Sequence, residues 1–91
     1  MGKVEGGRKR HGVKLYALST CMWCRKTRKL LEDHSVEYEF VEVDQLQGAQ
    51  REEALRNVKD HNPDVTFPTI VVDGRPIIGY REAELKGALE L

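Results

Sequence analysis

The 91-residue chain has only two cysteines, no net charge and no long apolar segment. No apolar run approaches the roughly 18 residues of a membrane span, and the first residues lack the apolar stretch of a secretory signal. Fifteen basic and fifteen acidic residues balance, so net charge favours no class of partner. We therefore expect a cytoplasmic protein of one domain with no membrane partner. In such a reducing compartment a cysteine pair is more often a redox or metal site than a structural cross-link.

Both cysteines lie in one short motif, T-C-M-W-C-R-K, between a strand-like run and a predicted helix. The helix N-terminus offers free backbone N–H groups and the positive end of the helix dipole, which favour a thiolate at Cys21. Cys24 follows three positions later on nearly the same face, so the two side chains can close a disulfide. We expect Ser19 or Thr20 to cap this helix. The motif predicts a thiol–disulfide site that carries two electrons.

The periodicity of apolar residues predicts an α/β fold with the element order βαβαββα. The predicted strands cover residues 13–18, 38–43, 69–72 and 76–78, and the predicted helices cover 21–34, 49–61 and 82–91. Two strands joined through a helix run parallel, and an Asp73-Gly74 turn joins the last two as a hairpin. The sequence thus predicts a four-stranded mixed sheet flanked by helices, formed by a domain of residues 13–91.

The first twelve residues contain four glycines and almost no apolar side chain, and we predict a flexible basic arm there. Its cluster Arg8-Lys9-Arg10-His11 could contact an acidic partner, but one short cluster is weak evidence and we do not expect a nucleic-acid partner. If the chain were a binding module built on this arm, deleting residues 1–10 would abolish its function while Cys21→Ser would not. We predict the reverse.

Three motifs in this order resemble the glutaredoxins and other small redoxins with the thioredoxin fold. The first is Cys21-Met22-Trp23-Cys24 after the first strand, where that family has its dithiol. The others are Thr66-Phe67-Pro68-Thr69, which resembles the family's cis-proline loop, and Val72-Asp73-Gly74 followed by Ile78-Gly79-Tyr80, which resembles its hairpin and exit turn. The resemblance covers residues 13–89.

The resemblance implies a role for each residue of these motifs. Cys21 is the expected nucleophile and Cys24 the resolving thiol, and the Phe67–Pro68 bond is expected to be cis, with the Phe67 backbone pairing with the substrate. The other expected substrate-binding residues are Met22, Trp23, Gly79 and Tyr80. For Trp23, an exposed contact for substrates and simple packing remain equally open. The expected substrates are protein disulfides, with ribonucleotide reductase as a candidate, and no cofactor is expected beyond the redox-active disulfide.

Two departures from the family bear on the electron donor. Members that use glutathione have a lysine where this chain has Leu18, and a Gly-Gly-x-Asp type segment where it has Gly79-Tyr80-Arg81-Glu82. In those members the lysine and the last helix N-terminus bind the two carboxylates of glutathione. Arg81 could replace part of this site, but its neighbours Glu82 and Glu84 oppose it. We therefore expect electrons from a thioredoxin-type reductase, with glutathione as the alternative donor.

Metal binding is the competing interpretation of the cysteine pair, because C-x-x-C is half of a common zinc site. Cys21 and Cys24 could bind zinc together with His34 or His61. However, the chain has no second cysteine pair, and His34 lies about 15 Å away along the same helix. A dimer sharing an iron–sulfur cluster through four thiolates is a minor alternative. We expect no metal.

Overall fold

A computed structural model of the protein describes residues 2–91, which form one mixed sheet with helices on both faces. The sheet order is β1-β3-β2-β4-β5. The strands are β1 Gly2–Val4, β2 Val13–Ala17, β3 Tyr38–Glu42, β4 Thr69–Val72 and β5 Arg75–Ile78. The helices are α1 Met22–Asp33, α2 Gly48–His61 and α3 Glu82–Ala88, and a 3-10 turn covers Val43–Gln45. No helix within residues 2–91 is long and apolar enough to cross a membrane.

The connections from β2 to β5 follow the predicted order, and the predicted α/β class is confirmed. β2 and β3 run parallel through α1, while β4 is antiparallel to both β2 and β5. The β4–β5 turn places Asp73 at φ 51° and Gly74 at φ 82°, the combination that a two-residue Asp-Gly hairpin turn requires. The register pairs Tyr16 with Thr69, so the end of β2 and the start of β4 lie at the same edge of the sheet.

The beginning of the chain corrects the prediction of a flexible arm and a four-stranded sheet. Residues Gly2–Val4 form a fifth strand that pairs antiparallel with β3, and Arg8 continues the contact by exchanging backbone hydrogen bonds with Ser35 and Glu37 at 2.9 Å. The glycines here permit close packing: a Cβ on Gly2 would lie 2.8 Å from the Phe40 ring, and one on Gly6 would overlap the Ser35 carbonyl. Residue 1 lies outside the described residues.

His11 fastens this N-terminal segment to two other parts of the chain. Its Nδ1 lies 2.6 Å from a carboxylate oxygen of Asp73 in the hairpin turn, and its Nε2 lies 2.9 Å from one of Glu90 near the C-terminus. The Gly12 backbone N–H also donates to Asp73 at 2.8 Å. These carboxylates raise the pKa of His11, with the Asp73 hydrogen bond as the largest cause. The segment before β2 is therefore held at both ends.

Each face of the sheet buries its own apolar cluster. On one face, α1 and α3 pack on the sheet around fully buried Leu15, Leu31, Ile70 and Leu85. On the other face, α2 packs through Val58. Burying side chains of this size contributes about 1.5–3 kcal/mol each. Both clusters reach the edge of the sheet where β2 passes into α1.

Candidate dithiol site

Cys21 is the N-cap residue of α1, which begins one residue later than predicted. Its backbone is extended (φ −88°, ψ 118°), and its Sγ accepts a hydrogen bond from the Cys24 backbone N–H at 3.2 Å. A Ser, Thr, Asp or Asn oxygen usually has this role, so the prediction that Ser19 or Thr20 caps the helix is wrong. The first turn contains no acidic residue. A negative charge on this sulfur is therefore stabilised by a backbone N–H and by the helix dipole.

Cys24 occupies a different environment from Cys21. Its side chain is only 1% exposed, whereas Cys21 is partly accessible. Burial raises the pKa of Cys24 to about 12, its hydrogen bond with Cys21 adds to the increase, and a hydrogen bond from the Leu18 backbone opposes it. Cys24 thus holds its proton at neutral pH while Cys21 faces solvent. Of the two sulfurs, that of Cys21 is therefore the accessible one.

A hydrogen-bonded cluster holds the loop that leads from β2 to Cys21. Asp44, in the 3-10 turn after β3, accepts hydrogen bonds from the Ser19 hydroxyl and, at 2.9 Å, from the Ser19 backbone N–H. These bonds lower the pKa of Asp44, the one from the Ser19 side chain most strongly. Gln45 also donates to the Ser19 hydroxyl at 3.1 Å. Sequence reasoning missed this cluster, because nothing in the spacing of single polar residues indicates that they meet.

The Phe67–Pro68 bond is cis, as the resemblance implied. Asn62, only 1% exposed, supports this loop from the C-terminal end of α2. Its amide nitrogen donates to the Thr66 carbonyl at 3.1 Å, to the Thr66 hydroxyl at 2.9 Å and to the Thr69 hydroxyl at 3.1 Å. The sequence indicated only that the helix ends before Asn62. The side chain in fact fixes the loop beside the dithiol.

A cleft of about 190 Å³ next to the dithiol brings together five predicted site residues, Trp23, Phe67, Pro68, Gly79 and Tyr80. The Trp23 and Tyr80 rings stack with their centroids 5.7 Å apart. Trp23 remains 49% exposed, so it both packs and presents a surface. Gly79 has φ 84°, and a Cβ added to it would meet only open space, so glycine is favoured there by backbone conformation. Its N–H donates to the Pro68 carbonyl at 2.8 Å, which joins the two loops.

Met22 and the histidines lie apart from the cleft. Met22 is 60% exposed on the first residue of α1 and does not line the cleft. His34 ends α1 at the opposite end from the cysteines, and His61 lies on α2 with Nδ1 3.0 Å from the Asn57 carbonyl. Residues 2–91 contain no group of three or more His, Cys, Asp or Glu side chains arranged to hold a metal ion.

A C-x-x-C at the start of a helix, with a cis-proline loop at the same sheet edge, defines the class of thioredoxin-fold thiol–disulfide redoxins. Residues 13–77 match the family model described as Glutaredoxin. The chain belongs to the glutaredoxin family. Membership of this family makes it a thiol–disulfide oxidoreductase.

Relatives and solved structures agree with this assignment. The methanoredoxin of Methanosarcina acetivorans superposes with a TM-score of 0.94 at 39% identity, over 100% of this chain and 97% of that one. The glutaredoxin of Methanosarcina mazei Go1 gives 0.90 at 42% identity, over 98% and 86%. Glutaredoxin 1 of Rickettsia bellii is 37% identical over 76% of this chain and 69% of its own length.

Proposed function

We propose that the chain reduces disulfide bonds of other proteins by a two-step dithiol exchange. The Cys21 thiolate attacks one sulfur of the substrate disulfide, forms a mixed disulfide and releases the other substrate sulfur as a thiolate, which takes up a proton. Cys24 then loses its proton and attacks the Cys21 sulfur, which closes the Cys21–Cys24 disulfide and frees the second substrate thiol. The observation that supports this order is the contrast between the two cysteines. The Cys21 sulfur is accessible and accepts a hydrogen bond from a backbone N–H, whereas Cys24 is buried and protonated.

The proposed electron donor is a thioredoxin-type reductase, with glutathione as the alternative. Leu18, at the position of the lysine in glutathione users, packs into the apolar cluster under α2 and supplies no cation. The first turn of α3 carries Glu82 and Glu84, which disfavour a carboxylate at that helix N-terminus. Arg81 is partly engaged, since its Nε donates to the Ile78 carbonyl at 3.1 Å. These features weaken both positions that would bind the carboxylates of glutathione.

We further propose that the protein works in the cytoplasm without a bound cofactor and that ribonucleotide reductase is a candidate substrate. The dithiol itself stores the two electrons, so the chemistry needs no further group. Iron–sulfur binding by a dimer is the competing proposal. The absorption spectrum and metal content of the purified protein separate the two, because a cluster absorbs visible light and a dithiol does not.

The test compares two substrates and two electron sources. Reduction of insulin and of a mixed disulfide with glutathione is measured with glutathione plus its reductase, and then with a thioredoxin-type reductase. We expect turnover with the thioredoxin-type reductase. Turnover only in the assay with glutathione and its reductase would contradict the proposed donor. Cys21→Ser should lose all activity, while Cys24→Ser should accumulate mixed disulfides with protein substrates. Full turnover by Cys21→Ser would contradict the mechanism.

A further inference from the structure

A second groove, of about 230 Å³, lies between α1 and α3 and shares Tyr80 with the cleft beside the dithiol. We call it the α1–α3 groove. Its charged lining consists mainly of three lysines and two carboxylates: Lys26, Lys29, Lys86, Asp33 and Glu82. An extended polypeptide bound in the cleft can therefore continue past Tyr80 into a charged channel.

The charges of the α1–α3 groove do not balance. Lys29 pairs with Asp33 at 2.8 Å and Lys86 pairs with Glu82 at 3.2 Å, so both carboxylates are neutralised. Lys26 forms no ion pair within residues 2–91. Its ammonium group instead lies 4.6 Å from the centre of the Trp23 ring. One positive charge is therefore left for a partner, at the boundary between the groove and the cleft.

The aromatic pair sets the distance between this charge and the cleft. The Lys26 ammonium lies over Trp23, and the Trp23 ring lies 5.7 Å from that of Tyr80. The two contacts together place the ammonium within about 10 Å of the Tyr80 ring, a span of about three extended residues. Lys26 also lies five residues after Cys21 on α1, a rise of about 7.5 Å, so a carboxylate two to four residues from a substrate cysteine bound at Cys21 can reach it.

We propose that the α1–α3 groove binds an acidic segment next to the disulfide of a protein substrate and that Lys26 selects for it. This inference rests on the proposed reduction of protein disulfides and names the class of substrate. The apolar Trp23–Tyr80 surface holds the segment without regard to charge, while Lys26 supplies the charge preference. Arg25, also exposed in the first turn of α1, adds to the positive potential.

The expected selectivity is modest because the lysine is exposed. Surface ion pairs are weak and are screened by salt. Reversing the charge replaces an attraction by a repulsion, so we expect Lys26→Glu to lower kcat/KM for an acidic substrate about fivefold, equivalent to about 1 kcal/mol. The effect should shrink as the salt concentration rises.

The experiment uses three peptides with the same internal disulfide, in which the residues two to four positions from each cysteine are Glu, Gln or Lys. kcat/KM is measured at low and high salt for the wild type, Lys26→Glu, Lys26→Arg and the control Lys59→Glu. Lys59 is an exposed residue of α2, so its reversal makes the same change in net charge away from the groove. We expect the order acidic, neutral, basic for the wild type, Lys26→Arg and Lys59→Glu, and loss or inversion of that order for Lys26→Glu.

The outcomes separate this inference from the proposed function. If the wild type reduces all three peptides equally, or if Lys26→Glu and Lys59→Glu change the ratios alike, the α1–α3 groove has no role in selection and the inference is overturned. The same holds if Lys26→Glu slows only the reduction of the protein by glutathione, because the groove then serves the donor. If the wild type does not reduce even the neutral peptide, the proposed function itself fails.

Discussion

Replacing Asn62 by Ala tests whether the cis-proline loop depends on one buried amide. The Asn62 side chain has two N–H protons for three oxygen acceptors at 2.9–3.1 Å, so at least one proton is shared between two acceptors. Each net hydrogen bond contributes about 0.5–1.5 kcal/mol. Removing the amide from a fully packed position adds the cost of a small cavity. We expect the free energy of unfolding to fall by about 2–4 kcal/mol.

The same change should impair function without altering the nucleophile. The loop after Asn62 leads to Phe67, whose backbone is expected to pair with substrate, whereas Cys21 lies in the connection from β2 to α1. We therefore expect kcat/KM for a protein disulfide to drop about tenfold, because docking loses its fixed surface. The rate at which a small alkylating reagent modifies Cys21 should stay within about twofold of the wild type.

Urea denaturation and alkylation kinetics measure the two effects on the same samples, and Asn57→Ala is the matched control. Asn57 is a half-buried residue of α2 whose side chain makes no hydrogen bond within the described part of the chain. This control should change stability by no more than about 0.5 kcal/mol. The reasoning is refuted if Asn62→Ala is equally mild, or if its alkylation rate falls in step with kcat/KM.

Three further predictions concern the segments that hold the sheet together. Gly6→Ala should destabilise the protein by at least about 2 kcal/mol because the new Cβ would overlap a backbone carbonyl. The control Gly7→Ala should not, because a Cβ there meets open space. Equal unfolding curves for the two variants would contradict an ordered N-terminus. The pKa of His11 is raised in the folded protein, and its hydrogen bond with Asp73 is the largest cause. The contribution of protonated His11 to the stability of the fold is therefore complete below about pH 6.5 and is lost as the pH rises through the folded-state pKa. Urea midpoints of the wild type and His11→Gln should therefore converge with rising pH, and a constant difference would exclude this linkage. Tyr38→Phe should lower the free energy of unfolding by about 1–2 kcal/mol, because the buried hydroxyl of β3 donates a 2.6 Å hydrogen bond to a carboxylate of α1. An unchanged urea midpoint would exclude that contribution.

Much of the fold and the core of the site could be predicted because their signals are local. The C-x-x-C spacing, the apolar strand before it and the Asp73-Gly74 turn each depend on neighbours in sequence, and the structure retains all three. The error in the helix cap has a local cause as well. Cysteine is not among the usual N-cap residues, so residue type favours Ser19 and Thr20, yet the N–H of Cys24 is directed at the Cys21 sulfur.

The rest could not be predicted because the decisive contacts join distant residues. Glycine in the first segment indicates flexibility when read alone, but it indicates close packing once Phe40 and Ser35 are known to lie against it. In the same way, the roles of Asp44 and Asn62 depend on partners that only the folded chain supplies.

We propose different functions for the two cysteines because the fold gives identical side chains opposite surroundings. The spacing alone does not rank the two sulfurs, although the position of Cys21 at the helix N-terminus already favoured a thiolate there. The N-cap position gives Cys21 an N–H donor and access to solvent, while one turn further the helix turns Cys24 into the core, where burial raises its pKa to about 12. In the proposed mechanism, exchange with a substrate therefore starts at Cys21, and resolution waits until Cys24 loses its proton. The proposed order of the two steps thus follows from where α1 begins relative to the sheet.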